Sequence, residues 1–429
     1  MSPSIVFIVF AISILVSIPV ATTLGIVAVL PGILDSSFPA SGEFIVRSMV
    51  GGVNSFPILA IPMFILSGMI MAQGGISKKL FNIFSYISGT KTAGIPIAVI
   101  TTCLFYGAIS GSAPATTAAV GAMTIPLLVE LGYDKTFSTA LVAVSGGLGV
   151  IIPPSIPFIL YGMASGVSVG SMFIAGVLPG LLIGFCLMIY SYYYCKKNGE
   201  DKEKIEANFM KLKNKGFINV FKDSFWALLA PIIILGSIYG GIASPTEAAT
   251  ISVFYALFVS LFIYKTITFS KVKGIMVESV KTYTPLLFIL AAAVGFSRVL
   301  ALMQVPQLVS GFITGIFSGK VAILLIINLL LLFVGMIIDT GPALLILTPI
   351  LLPITNAIGV NPIQLGIIMV VNLAVGFVTP PVGLNLFVAS SITDIEVMDI
   401  AKKAMPFIAF FIVALLLITF IEEISLALL

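Results

Sequence analysis

The chain has 429 residues, of which 59% are hydrophobic and 9% charged, with a formal net charge of +4 and a mean hydropathy of +1.21. A soluble domain of this length could not hide so much apolar surface, whereas a bundle of membrane helices can leave it facing lipid. There is no histidine, and Cys103, Cys186 and Cys195 show no metal-binding spacing, so metal and redox enzymology find few of their usual ligands.

The opening MSPSIVFIVFAISILVSIPVATTLGIVAVL lacks a basic leader and is too long for a signal-peptide core. It reads as one retained membrane helix over residues 5 to 33. Apolar segments of spanning length follow near 50 to 73, 136 to 164, 171 to 195, 225 to 242, 245 to 265, 283 to 303, 363 to 390 and 404 to 428. Two more, 93 to 130 and 321 to 356, are broken midway by Gly, Ser or Thr and Pro. Each of these is a re-entrant hairpin or a pair of short spans.

Basic residues set the orientation, because short loops rich in lysine stay in the cytoplasm. Lys78, Lys79 and Lys91 mark one loop and Lys135 follows the first interrupted segment. Eight lysines lie between Lys196 and Lys222, four more are Lys265, Lys271, Lys273 and Lys281, and Lys402 with Lys403 mark a last loop. These are 18 of the 21 basic residues. All fall on one side with nine full crossings and two hairpins, which predicts a cytoplasmic N-terminus and a periplasmic C-terminus. The aromatics of YSYYYC and Trp226 flank the lysine-rich stretch where the cytoplasmic interface should lie. That stretch is most simply a solvated face, with nothing further to indicate nucleic acid. SPTE at Ser244 to Glu247 reads as a capping box with proline at the first helical position. TDIE at Thr393 to Glu396 reads as the cap of a short surface helix.

The chain repeats itself with a period near 228: Pro57 falls on Pro285, Gly107 on Gly335 and Pro114 on Pro342. After a one-residue gap Gly132 falls on Gly359, Gly149 on Gly376, and Pro153-Pro154 on Pro380-Pro381. The lysine-based orientation, built without the repeat, runs the two copies through the membrane in opposite senses. The expected fold is therefore an all-α polytopic membrane protein, an inverted repeat with two re-entrant hairpins and two broken transmembrane helices.

Breaking a helix frees carbonyls at the end of one half and N–H groups at the start of the next. Such groups are costly in lipid and must face protein or a wet cavity. Freed carbonyls can hold Na⁺, and half-helix N-termini can hold an anion. Pairing the tip GAISGSAP with the break GVIIPPS gives a first Na⁺ position from Gly107, Ser110, Gly149, Ile152 and Pro154, mainly through backbone oxygens. Pairing GMIIDTGP with GFVTPPV gives a second from Gly335, Gly376, Thr379 and Val382.

Intramembrane charge is scarce and costly unless paired, hydrated or used. Arg298 either holds a carboxylate bidentately or snorkels to the outer interface. Asp339, in the second tip, either orients substrate or caps the returning half-helix. Thr340 and Asn385 are candidate hydrogen-bond donors near the second break, and Ser168 lies just beyond the first broken helix.

The motifs YGAISGSAPATTAAVGAMTIPLL, GVIIPPSIPFILYG, GIASPTEAA, GMIIDTGPALLILTPILLPI and GFVTPPVGLNLF, spread over nearly the whole chain, resemble the large membrane subunit of tripartite ATP-independent periplasmic (TRAP) transporters, of the ion-transporter superfamily. The resemblance implies a sodium-coupled elevator in the bacterial inner membrane that takes up an organic acid anion, such as a dicarboxylate or sialic acid. It implies a periplasmic substrate-binding protein and a small four-helix membrane subunit. That subunit is fused in some members, and with no such extension in this sequence a separate polypeptide is expected. The family's sodium sites fall on the tip and break positions above, and Ser168, Arg298 and Asp339 carry over as substrate contacts. Transport-domain halves are then expected at 92–170 and 320–392, with scaffold at 1–91 and 171–319, including the loop 196–222, and a surface helix plus membrane helix at 393–429.

The nearest rival is a stand-alone sodium–dicarboxylate carrier or ion antiporter of the same architecture. An intramembrane protease would need an Asp pair or a Ser–Lys or Ser–His dyad within the bilayer, and the sequence offers neither. No enzyme is expected.

Overall fold

The computed structural model describes residues 3–35, 37–316 and 319–429. The described residues form helices and no strand. Among the described residues eight helical stretches are long and apolar enough to cross a membrane. Large apolar side chains are exposed along many of them, as in a protein whose solvent is lipid.

The single crossing expected over 5 to 33 is two helices, α1 (Pro3–Leu15) and α2 (Val20–Leu34). Ser17 takes a left-handed φ of 63° and the Ile18 N–H reaches back to the Ser13 carbonyl at 2.9 Å. That geometry closes a helix and turns the chain, and Pro19 has no N–H with which to continue it. α1 packs on α2. After α3 (Gly42–Val53), a short 3-10 turn leads into α4 (Ala60–Gln73) and the amphipathic α5 (Ile76–Ser88).

The first interrupted segment is a hairpin of α6 (Gly94–Ser110) and α7 (Ala113–Glu130), turning at Gly111 with φ 61°. α8 (Lys135–Gly146) ends in a 3-10 turn, breaks at 151–155 and resumes as α9 (Ile156–Ser165). α10 (Val169–Asn198) runs into the lysine-rich stretch, which folds as α11 (Lys202–Lys213). Asp201 caps α11, and the Lys204 N–H on its carboxylate at 3.2 Å holds it below the usual carboxylate range.

α12 (Phe217–Tyr239) leads to α13 (Pro245–Phe258), whose start is the expected capping box. The Glu247 N–H donates to the Ser244 hydroxyl oxygen at 3.3 Å, and the Ser244 N–H donates to Glu247 Oε2 at 2.7 Å. α14 (Phe269–Leu302) has 34 residues, about 51 Å of helix, so its lysine-bearing first turns extend beyond a ~30 Å hydrocarbon layer. α15 (Val305–Ile316) precedes the second hairpin, α16 (Lys320–Gly335) and α17 (Thr340–Ala357). α18 (Pro362–Gly376) breaks at 377–383 and resumes as α19 (Leu384–Thr393).

TDIE does not cap a surface helix. Thr393 ends α19, its hydroxyl bonds back to the Ala389 carbonyl at 3.0 Å, and one continuous α20 (Val397–Phe420) follows. The polar first turns of α20 are held by Lys402 with Asp399 at 3.1 Å and Lys403 with Asp134 at 3.4 Å, so they need no helix of their own.

The two halves pack reciprocally. α4 lies on α13 as α2 lies on α14, α9 on α17 as α19 on α7, and α8 on α20 as α18 on α10. Each broken helix thus leans on the other copy's hairpin, the pattern of a two-fold, self-complementary interface.

Candidate functional site

Each proline pair removes two backbone donors. Pro153 and Pro154 leave the carbonyls of Gly149 and Val150 without their helical partners. The Ser155 hydroxyl takes the Val150 carbonyl at 2.5 Å. Gly149 lies against the hairpin: a Cβ on Gly107 would come within 2.8 Å of Gly149 Cα, and one on Gly149 within 2.6 Å of the Ser112 carbonyl oxygen. Only glycine permits that approach. The Gly111 carbonyl accepts the Ile156 N–H at 3.3 Å, and the Pro154 carbonyl faces Gly111. Ser110 is buried, with Oγ 2.8 Å from the Thr116 hydroxyl. The Ile152 side chain faces Gly180 of α10, so this residue can contribute only its backbone. The structure therefore sets Gly107 on Gly149 and Pro154 on Gly111, leaves Ile152 turned to α10, and brings Ser110 to Thr116, which sequence reasoning missed. Its signal was present, a hydroxyl four residues after Ser112 on the returning helix.

The second copy repeats the contact more tightly. A Cβ on Gly376 would lie 2.3 Å from the Gly335 carbonyl oxygen. Pro380 and Pro381 strip donors from Gly376 and Phe377, whose carbonyls accept the N–H groups of Thr379 at 3.2 Å and Asn385 at 2.9 Å instead. The Val382 N–H donates to Met336 O at 3.3 Å, tying break to tip. The Val382 side chain is 43% exposed and turned away, and the Thr379 hydroxyl donates to the Val375 carbonyl at 2.8 Å. Both Pro–Pro bonds are cis. Among the described residues no three His, Cys, Asp or Glu side chains gather around a common point. The oxygens at both positions are neutral backbone carbonyls and hydroxyls.

Between the two tips lies a cavity of about 280 Å³. Ser112 and Pro114 at the start of α7, Ile156 and Pro157 of α9, Asp339 to Pro342 at the start of α17 and Leu384 of α19 all border it. The N-termini of all four interrupted helices thus converge on one space. Each carries a partial positive charge, and together these favour an anion, while the Ile156, Thr340 and Asn385 N–H groups are already held by Gly111, Asp339 and Phe377. Thr340 borders this space, is 3% exposed, and its hydroxyl is buried without a partner. Asp339 is capping in part, since its Oδ1 accepts the Thr340 N–H at 2.7 Å.

The remaining substrate candidates separate. Ser168 and Arg298 line a second cavity of about 720 Å³, and Leu345 forms part of the wall of both. Arg298 is exposed to it and makes no ion pair among the described residues. Ser168 caps α10, accepting the Ser171 N–H at 3.3 Å. Asn385 borders neither cavity. It is fully buried, and its Nδ2 donates to the Ala143 carbonyl at 3.0 Å, bracing α19 against α8 of the other copy.

Over residues 7–424 the chain matches the family described as tripartite ATP-independent periplasmic transporter, DctM component. It is 42% identical to the isethionate TRAP transporter permease protein DctMQ of Oleidesulfovibrio alaskensis over 97% of this chain, and spans 64% of that protein's length. It is 39% identical to the C4-dicarboxylate TRAP transporter large permease protein DctM of Pseudomonas aeruginosa, over 87% of this chain and 86% of that one. With the sialic acid TRAP transporter large permease protein SiaM of Vibrio cholerae it shares 33% identity over 90% and 89%. Among solved structures the YdaH transporter of Alcanivorax borkumensis superposes with a TM-score of 0.66 at 14% identity, covering 95% of this chain and 97% of that one, which speaks for the fold alone. The chain belongs to the DctM family of TRAP transporter components, transport proteins rather than enzymes.

Proposed function

We propose that the chain is the large permease subunit of a sodium-driven TRAP transporter for an organic acid anion, in the bacterial inner membrane. The observation that carries this reading is the convergence of four helix N-termini on the tip cavity, flanked by the Gly107–Gly149 and Gly335–Gly376 contacts. Relatives named for isethionate, C4-dicarboxylate and sialic acid support an acidic substrate. The anion sits between the tips, with the Thr340 hydroxyl as donor and the positive ends of the four helices around it, and Arg298 attracts it from the neighbouring cavity. Sodium at the two glycine contacts fixes tip against break and so completes the anion site; each ligand then raises the affinity for the other.

The segments 92–170 and 320–392 form the moving unit and the remaining helices the scaffold. A small four-helix subunit enlarges that scaffold, and a periplasmic binding protein delivers the substrate. The tips touch breaks that lie midway along a crossing, which supports re-entrant hairpins rather than pairs of spans. The lysine loops are cytoplasmic and the C-terminus periplasmic. With α1 and α2 as separate antiparallel helices each copy holds five crossings, an odd number, which inverts the second copy and puts the N-terminus outside as well.

The test is uptake into proteoliposomes containing this chain and its small subunit under an imposed sodium gradient, with and without the binding protein. Uptake that needs both sodium and binding protein is expected. Sodium-driven uptake without the binding protein would identify a stand-alone carrier, and uptake indifferent to sodium would remove the coupling.

A further inference from the structure

Four polar residues buried among α16, α18 and α20 are linked into a chain by hydrogen bonds through three side chains and the Thr419 backbone and hydroxyl. Gln364 Nε2 donates to the Thr419 carbonyl at 3.1 Å, the Thr419 hydroxyl is shared between the Leu415 carbonyl at 2.8 Å and Asn328 Oδ1 at 3.3 Å, and Asn372 Nδ2 donates to that same Asn328 oxygen at 2.8 Å. None is more than 4% exposed. Two oxygens in the chain, Gln364 Oε1 and Asn372 Oδ1, are buried without a partner. A buried acceptor left alone is costly, so the arrangement calls for something that supplies positive charge or protons to it.

The chain is open at one end and aimed at the other. A recess of about 310 Å³ reaches Gln364 and Thr419 from a mouth bordered by Lys320, Glu422 and Glu423. Lys320 lies 3.9 Å from Glu422, and the second carboxylate leaves the mouth with net negative charge. At the inner end Asn372 precedes Gly376 by one helical turn, and Asn328 precedes Gly335 by two. Both therefore lie on the same faces as the two glycines that touch. The matching places of the first copy are Ile100, Phe137, Ser145 and Tyr192, and there Phe137 stacks on Tyr194 at 3.7 Å instead. The polar track belongs to the second copy alone.

We propose that this track is a hydrated lane along which a sodium ion reaches the Gly335–Gly376 position from the Lys320–Glu422 end of the bundle. The proposal rests on the sodium coupling argued above. Neutral amide and hydroxyl oxygens can replace part of an ion's water shell without trapping it, which suits passage. The acidic mouth draws cations and turns away the anionic substrate, so ion and substrate approach by different routes.

The test uses the full chain with its small subunit in nanodiscs. An environment-sensitive dye is placed through Ile337→Cys beside the second tip, where the side chain is 39% exposed and the three native cysteines are buried. Choline chloride is replaced by sodium chloride in a stopped-flow mixer. Asn372→Leu and Thr419→Val are each expected to slow the sodium-triggered change about tenfold while keeping its amplitude at saturating sodium. If Asn372→Leu does not fold, the near-isosteric Thr419→Val decides. A parent protein that responds while the variants keep its rate overturns the lane alone. A parent that does not respond to sodium overturns the coupling and the lane with it.

Discussion

Thr340 holds the one hydroxyl on the tip cavity that is buried and unbonded. A donor in that state is unfavourable until a ligand or water accepts from it. Thr340→Val keeps the shape and removes the donor, so KM for the organic acid is expected to rise about tenfold, near 1.4 kcal/mol, with sodium activation little changed. Initial-rate uptake at varied substrate checks this, and an unchanged KM would take Thr340 out of the site. Single residues were unevenly legible in the sequence. The close approach of Gly107 to Gly149 and of Gly335 to Gly376 was readable because a missing side chain between two proline-marked elements has few other uses. Asn385 was not, because its partner is a carbonyl 242 positions away. An amide looks the same in a sequence whether it awaits a substrate or braces two helices.

Hairpins and broken helices meet through backbone rather than side chains, and this makes the elements sensitive to a single methyl group. Gly376→Ala would drive a Cβ to 2.3 Å from the Gly335 carbonyl. The two elements must part, at about 1–3 kcal/mol for overpacking. A lower thermal midpoint and loss of stabilisation by added sodium are the expected results, and a variant with both intact would show that the contact tolerates separation. At this scale the sequence was informative wherever proline, glycine or a capping residue punctuated it. Both hairpins, both breaks and the box at Ser244 are where those residues predict them. It misled at 5 to 33, where a Ser-Ile-Pro turn inside an unbroken apolar run ends one helix and starts another. It misled again at Thr393 to Glu396, where cap-like residues join two helices directly.

For the whole molecule the turn between α1 and α2 decides the sidedness of the N-terminus. A reporter active only in the periplasm, fused to either end of the chain, is expected to be active at both. Activity at the C-terminus alone would restore a single crossing over 5 to 33. The sequence by itself determined that this is a polytopic membrane protein, where its helices are interrupted and that its lysines gather between the apolar segments. Those properties depend on local chemistry: a proline lacks its donor, a glycine lacks its side chain and a lysine resists lipid wherever the rest of the chain lies. Only the tertiary structure decided that four helix starts converge on one cavity, that Arg298 and Asp339 border different cavities, and that Asn328, Asn372, Gln364 and Thr419 join in one track. Each of these depends on how helices far apart in the chain pack, and their apolar faces are too alike in composition to specify their partners.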